Sequence, residues 1–280
     1  MKAVEHIVAV GGLGGSGTRV ISQILQEAGL RFCADQNAPL DTLAFTLFFN
    51  QDALSLDRTE FAERARFFNK CRFACQLESG DEARLRYLAD QCRLQQSRQW
   101  FHERVDAILM NQEIPCTGNW GWKSPPTHFF TERFLECWQN FRFVMVVRNA
   151  YDMILSGNRI QQRFWAHHSG FVSPSSCTLD SDFAFWCYVH RSMVDVQRRF
   201  PERVIFISHD RLIAEPRVEV NRLLSFAFSE VEKTDVSSEA LYDIPQRPDT
   251  KDRGKNIKIV ASEENRRFEH EFSHTLLNAS

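Results

Sequence analysis

The chain has 280 residues, 43% of them hydrophobic and 25% charged, with 12 Gly and 9 Pro. That is enough for one substantial core, and no linker, low-complexity tract or solenoid-period repeat divides it. The formal net charge of −2 lacks the basic excess of nucleic-acid binders, so any anion site must be local.

From Met1 to Gly12 there is one lysine and a short apolar run that leads directly into a glycine loop, without a cleavage-type small-residue site. No run reaches the ~20 apolar residues of a membrane span, so the expectation is a cytoplasmic protein without a membrane partner. His6 to Gly11 reads as a short buried strand. After the glycine loop, Val20, Ile21, Ile24, Leu25 and Ala28 recur at helical spacing up to Gly29. From about residue 39 to 111 the pattern is helical and rich in aromatics (Phe45, Phe48, Phe49, Phe61, Phe67, Phe68, Trp100, Phe101), which reads as a helical insertion covering a pocket, although such stripes are more often core. A strand is predicted at Asn119 to Trp122, a helix from about Thr127, and the most convincing buried strand at Phe143 to Val147. A helix through Ile154 and Ile160, a loop near Ser173 to Ser176, a helix through Phe185 to Val196 and a strand at Val204 to Ile207 follow. Ser262 before Glu263 and Glu264 caps a last helix. The alternation predicts a single domain over 1–280, a three-layer α/β/α fold with a central parallel sheet.

Eight cysteines, at 33, 71, 75, 92, 116, 137, 177 and 187, form neither a CxxC pair nor a zinc spacing and read as buried free thiols. His270 and His274 are spaced i,i+4 but lack a third ligand, so a polar helix face is expected and no metal. His167 and His168 read as a solvated pair.

The segment from Gly11 to Arg19 (GGLGGSGTR) lies between a strand and a helix, where backbone N–H groups and the helix dipole converge on a point that suits an anion. Gly14, Gly15 and Gly17 let the backbone wrap a phosphate, and Ser16 and Thr18 add hydroxyl donors. The glycines are denser than a tight turn needs. Gly12 and Gly17 have Walker A separation, but Thr18 and Arg19 stand where Lys and Ser/Thr belong. Gly12, Gly14 and Gly17 also fit GxGxxG, with Asp35 at about the distance of a ribose partner, which leaves a nicotinamide-dependent oxidoreductase as an alternative.

The segment Val146 to Ser156 (VVRNAYDMILS) decides among them. A buried strand delivers Arg148 at its carboxyl end, and Ser156 follows eight residues later. A magnesium-dependent triphosphatase would want an acid at such a strand end; a guanidinium favours a metal-free phosphate site.

With these residues the chain resembles the sulfotransferases that use 3′-phosphoadenosine 5′-phosphosulfate (PAPS). Ser16-Gly17-Thr18 matches the family's 5′-phosphosulfate loop, and Arg148 with Ser156, and Asp152 between them, matches its 3′-phosphate element. Lys123-Ser124-Pro125 is similar to the Lys-x-Pro step of Golgi-type and many bacterial members. Ser208 to Leu212, followed by Glu215-Pro216, resembles the segment after the late strand, and Arg253-Gly254-Lys255 the basic-glycine loop of cytosolic members. The resemblance implies a P-loop-type nucleotide-binding fold, PAPS as donor and no metal. It further implies a small-molecule or glycan acceptor sulfonated on a hydroxyl or amine; a homodimer is a possible assembly that the sequence leaves open. One departure stands out: Gly15 occupies the place just before Ser-Gly-Thr where the family usually has Lys or Arg. Arg19 and Lys123 are the available substitutes, and Lys123 is the candidate catalytic cation. For the general base, Asp41 lies where Golgi-type members place their acid, and His128 follows Lys123 as a histidine does in cytosolic members. Asp41 also reads as a helix cap, and His128 as a satisfied histidine at a helix start. A nucleotide-binding protein that lost catalysis with the loop cation is the remaining alternative.

Overall fold

The structure is a computed structural model that describes residues 6–33, 35–72, 77–92, 96–110, 118–156, 158, 160–172, 178–228, 238–246 and 258–277. Strand β1 (Ile7–Gly12) is buried along its whole length and leads into helix α1 (Thr18–Glu27). A two-residue strand β2 (Arg31–Phe32) follows, shorter than any period-based reading can detect. The segment predicted as helical holds α2 (Ala44–Phe48), a 3-10 turn, α3 (Arg58–Cys71), α4 (Asp81–Gln91) and α5 (Arg98–Met110). Then come β3 (Trp120–Lys123), a 3-10 turn over Pro125–Phe130, α6 (Thr131–Cys137) and β4 (Phe141–Val147). The helix expected through Ile154 and Ile160 is two short helices, α7 (Ala150–Ile154) and α8 (Ile160–Trp165). The turn formers Ser156, Gly157 and Asn158 interrupt them in sequence. The chain continues with α9 (Leu179–Arg199), β5 (Val204–Ser208), α10 (His209–Ala214), α11 (Pro216–Ala227), α12 (Ser238–Tyr242) and α13 (Glu263–Leu277). Ser262 Oγ accepts the Asn265 N–H at 3.2 Å, so the expected cap of α13 is in place.

The five strands run parallel in the order β2-β3-β1-β4-β5. Because side chains alternate across a sheet, successive residues of β1 enter different cores. Val8 and Val10, with Val144, Val146 and Ile207, face α1 and α11 through Ile21, Ile24, Leu25, Val220 and Leu223. Ile7 and Ala9, with Phe141, Phe143, Met145 and Phe206, face the larger layer built from α2 to α6, α9 and α13. Three layers result, as the alternation of elements predicts. In the larger layer Phe45, Phe49, Phe68, Phe130 and Phe134 pack on one another and around Trp122. These rings are buried in the core.

The strand order also separates two readings of the glycine loop. In a dinucleotide fold the acid that reads the ribose follows the strand next to β1. Here β3 lies between β1 and β2, and Asp35, beyond β2, is bound to Arg104 Nε at 3.1 Å. The nicotinamide alternative loses its ribose partner.

Two histidines are sealed in the larger layer. His128 Nδ1 lies 2.8 Å from the Pro125 carbonyl and His190 Nδ1 2.7 Å from that of Trp186, while neither Nε2 has a hydrogen-bond partner among the described residues. Burial pushes their pKa values from 6.5 down to about 4 and about 3. Above pH 6.5 both are neutral whether the chain is folded or not. As pH falls below 6.5 the unfolded chain takes up protons that the folded chain refuses, so stability declines by up to about 1.4 kcal/mol per pH unit for each histidine. Urea unfolding at successive pH values should show this loss, and His190→Phe should reduce its slope; equal slopes would remove His190 as a source.

Candidate active site

All the functional candidates that the structure describes, apart from His128, gather at or just beyond the carboxyl ends of neighbouring strands. Register explains this: Val10 of β1 pairs with Lys123 of β3, Gly12 with Val146 of β4, and Val147 with Ser208 of β5. Connections leave β1 and β4 in opposite directions across the sheet, so the crevice between them is a topological switch point.

The glycine loop fills the β1 side of that crevice. Ser16 N–H closes a turn onto the Leu13 carbonyl at 3.0 Å. Gly17, with φ 95°, enters α1 without a side-chain cap, and the first turn of α1 has no acidic residue. The first N–H groups of a helix have no partner within it, so this end carries uncompensated donors. Ser16 is 1% exposed and its hydroxyl has no hydrogen-bond partner among the described residues. A Cβ on Gly17 would be driven into the His209 ring, 2.9 Å from Nε2. Thr18 is buried at the start of α1, and Arg19 beside it is exposed.

Arg148 and Ser156 come to the same loop. Arg148, 6% exposed, donates from Nη1 to the Gly15 carbonyl at 3.3 Å, and its Nη2 lies 3.9 Å from Asp152 Oδ2. Ser156 sits in the turn after α7, its N–H on the Met153 carbonyl at 2.9 Å. A Cβ on Gly15 would meet Ser156 Oγ and lie 2.9 Å from Ser156 Cβ. The two elements that the sequence reading kept apart therefore meet at one residue. Asn149 caps α7 through Oδ1, which accepts the N–H groups of Tyr151 and Asp152, and its own N–H donates to Asp210 Oδ2 at 2.7 Å. The late segment from Ser208 to Leu212 thus borders the loop through His209 and β4 through Asp210.

On the other side of β1, Lys123 is 3% exposed. Its Nζ donates to Asp41 Oδ1 at 2.5 Å and to the Pro39 carbonyl at 3.1 Å. Burial holds the ammonium pKa below its ordinary value against the pull of Asp41, and the nearby Arg19 charge pushes the same way. Asp41 is a quarter exposed, accepts its own turn's Asn37 Nδ2 at 3.0 Å, and caps no helix. His128 lies apart from this pair, within the aromatic layer.

His167 and His168 are exposed, and among the described residues no group of three or more His, Cys, Asp or Glu gathers around a point. No helix among the described residues is long and apolar enough to cross a membrane. Arg253, Gly254 and Lys255 lie outside the described residues. One site residue left no trace in the sequence reading. Gln161 of α8, 5% exposed, accepts the Gly14 N–H through Oε1 and donates from Nε2 to the Gly12 carbonyl at 2.9 Å. Nothing in its neighbours marks it, because its partners are main-chain atoms almost 150 positions away.

Fold and site together define a parallel α/β protein of the kind that takes its ligands at the carboxyl ends of its strands. Residues 8–233 match the model of the sulfotransferase family, and the chain belongs to that family. Among solved structures it is similar to the sulfotransferase domain of the olefin synthase of Synechococcus PCC 7002, at 15% identity over 96% of this chain and 94% of that one, with a TM-score of 0.47. It is also similar to a sulfotransferase of Mycobacterium avium, at 16% identity over 97% of this chain and 77% of that one, with a TM-score of 0.48. Comparison with curated proteins gives no match.

The family's usual loop cation does not fit at Gly15. With φ 89° and Ser156 against it, Gly15→Lys should lower stability by roughly 1–3 kcal/mol, as denaturant unfolding would measure. An unchanged midpoint would show that the loop accepts a side chain there.

Proposed function

We propose that the chain transfers a sulfonate group from PAPS to a hydroxyl or amine of a small-molecule or glycan acceptor. The observation that carries this reading is the meeting of Arg148, Ser156 and the glycine loop at Gly15, one strand away from Lys123. Two anion-holding elements this close can serve one donor with two phosphate groups. The fit is also chemical, since the buried Ser16 hydroxyl lacks a hydrogen-bond partner among the described residues and the cradle excludes a Cβ at Gly15 and Gly17.

In this reading Arg148 and Ser156 hold the 3′-phosphate, through a charge-assisted guanidinium contact and a hydroxyl. The loop from Gly14 to Arg19, with the positive end of α1, holds the 5′ end. The donor, when bound, supplies the sulfonate. Lys123 sets a fixed positive charge where the breaking sulfur–oxygen bond leaves charge on the departing phosphate, in a water-poor site where that charge acts strongly. Asp41, partly exposed and bound to Lys123, takes the proton of the acceptor hydroxyl as its oxygen bonds to sulfur. His128 is the weaker candidate for that role, being buried against Phe129 where desolvation disfavours the imidazolium it would become. Pro39 and Asp41 bring the start of the helical segment onto Lys123, and Thr42 N–H pairs with the Lys123 carbonyl at 2.7 Å. The acceptor therefore approaches from the side of that segment.

Gly15 favours one other reading, a nucleotide-binding protein without turnover, because it lacks the family's loop cation. The two separate experimentally. Calorimetry with 3′-phosphoadenosine 5′-phosphate should show binding that Arg148→Ala weakens by roughly ten- to a hundredfold. With labelled PAPS and a panel of alcohols, phenols, amines and glycans, Lys123→Ala should retain nucleotide binding and lose roughly a hundred- to a thousandfold in turnover. If the unaltered protein and Lys123→Ala are equally inert on the panel while both bind nucleotide, the binding reading replaces the enzymatic one.

A further inference from the structure

We infer that Gln161 is a positioning residue that holds the glycine loop in its anion-binding shape before any ligand arrives; its role in donor binding rests on the reading above. The loop is a poor candidate for self-ordering. Gly11, Gly12, Gly14, Gly15 and Gly17 fall within seven residues, and glycine loses more backbone freedom on ordering than any other residue. The β1 ladder to β4 ends at Gly12, opposite Val146. Beyond it, some other partner must fix the main chain.

Gln161 supplies that partner. Its Oε1 accepts the Gly14 N–H and its Nε2 donates to the Gly12 carbonyl at 2.9 Å. A parallel neighbour strand bonds in the same way to the carbonyl of one residue and the N–H two positions on. The side-chain amide therefore acts as one more rung of the sheet, flanking Leu13, where no strand continues. The reverse amide orientation would set donor against donor and acceptor against acceptor, so the network fixes it. Gln161 is 5% exposed, and in such a place losing the amide leaves both loop groups without a partner.

The clamp leaves the rest of the loop to other groups. Arg148 holds the Gly15 carbonyl and Leu13 the Ser16 N–H, and the start of α1 carries the donors that face outward. Gln161 does not touch the ligand site from the front. It sets the direction in which the following N–H groups point. The element bearing it, α8, begins four residues after Ser156 in sequence.

The test uses the full-length protein with Gln161→Met, which keeps the length of the side chain and removes both bonds, and Gln161→Glu, which keeps the acceptor for Gly14 N–H and loses the donor. Amide hydrogen exchange of residues 12–17 in the ligand-free protein should be slowest in the unaltered chain and faster in both Gln161→Glu and Gln161→Met, with exchange in β4 and β5 unchanged. Affinity for 3′-phosphoadenosine 5′-phosphate should fall roughly tenfold or more in Gln161→Met, and bound nucleotide should restore most of the lost protection. Loop exchange that is the same in all three proteins overturns the inference. So does faster loop exchange with nucleotide affinity within twofold of the unaltered protein. If Gln161→Met does not fold, Gln161→Glu against the unaltered chain still decides by loop exchange in the ligand-free protein, the readout that its added charge beside a phosphate does not enter. Should the unaltered protein bind no such nucleotide, the donor reading falls, while the ligand-free exchange still judges the clamp.

Discussion

The site is organised around the main chain of one residue without a side chain. Gly15 presents its carbonyl to Arg148 and its bare Cα to Ser156, so the loop after β1 and the turn after α7 touch with nothing between them. Neighbouring parallel strands lie about 4.8 Å apart, and the Gly12–Val146 register delivers both loops to the crevice at the same height. A Cβ at position 15 would push the two apart. Close approach of the elements and a cation on the loop are therefore alternatives at this position, and this chain has the first.

The buried cation next to the loop stands one strand over. Lys123 stands opposite Val10 at the end of β3, and its burial makes its charge count for more than a solvated lysine's would. A buried ammonium needs a partner, and Asp41 with the Pro39 carbonyl provides it. The helical segment between β2 and β3 is thereby tied at its start to the sheet, and its aromatic residues close over Trp122 behind it. One ion pair joins the sheet to the helical layer.

Much of this was legible in the sequence. Long buried runs such as Phe143 to Val147 announce parallel strands, and glycines between a strand and a helix announce an anion loop, because both signals are local. Arg148 and Ser156 were legible as a spaced pair, yet their meeting with Gly15 was not, since α7 ends at Ile154 and the intervening turn sets the geometry. β2 escaped because two residues have no period. The aromatic stripe from Phe45 to Phe101 left open whether it lines a pocket, and packing answered that it is mostly core. Gln161 escaped for a different reason. A side chain whose partners are main-chain atoms in a distant loop imposes no requirement on the identity of its neighbours in sequence.

The charges of the site come in balanced pairs. Lys123 is matched by Asp41 and Arg148 by Asp152, while the Asp210 carboxylate is taken up by the Asn149 N–H. Removing one partner of a buried pair leaves an uncompensated charge and costs far more than the pair itself is worth. This balance lets the cations stay buried in the ligand-free fold. It also means that an arriving anion must compete with carboxylates already in place. The Arg148–Asp152 contact, at 3.9 Å, is long, whereas Lys123–Asp41, at 2.5 Å, is short. The lysine is thus held fixed by its acid. A fixed cation suits stabilising charge that develops during transfer, because it needs no reorganisation when the bond breaks.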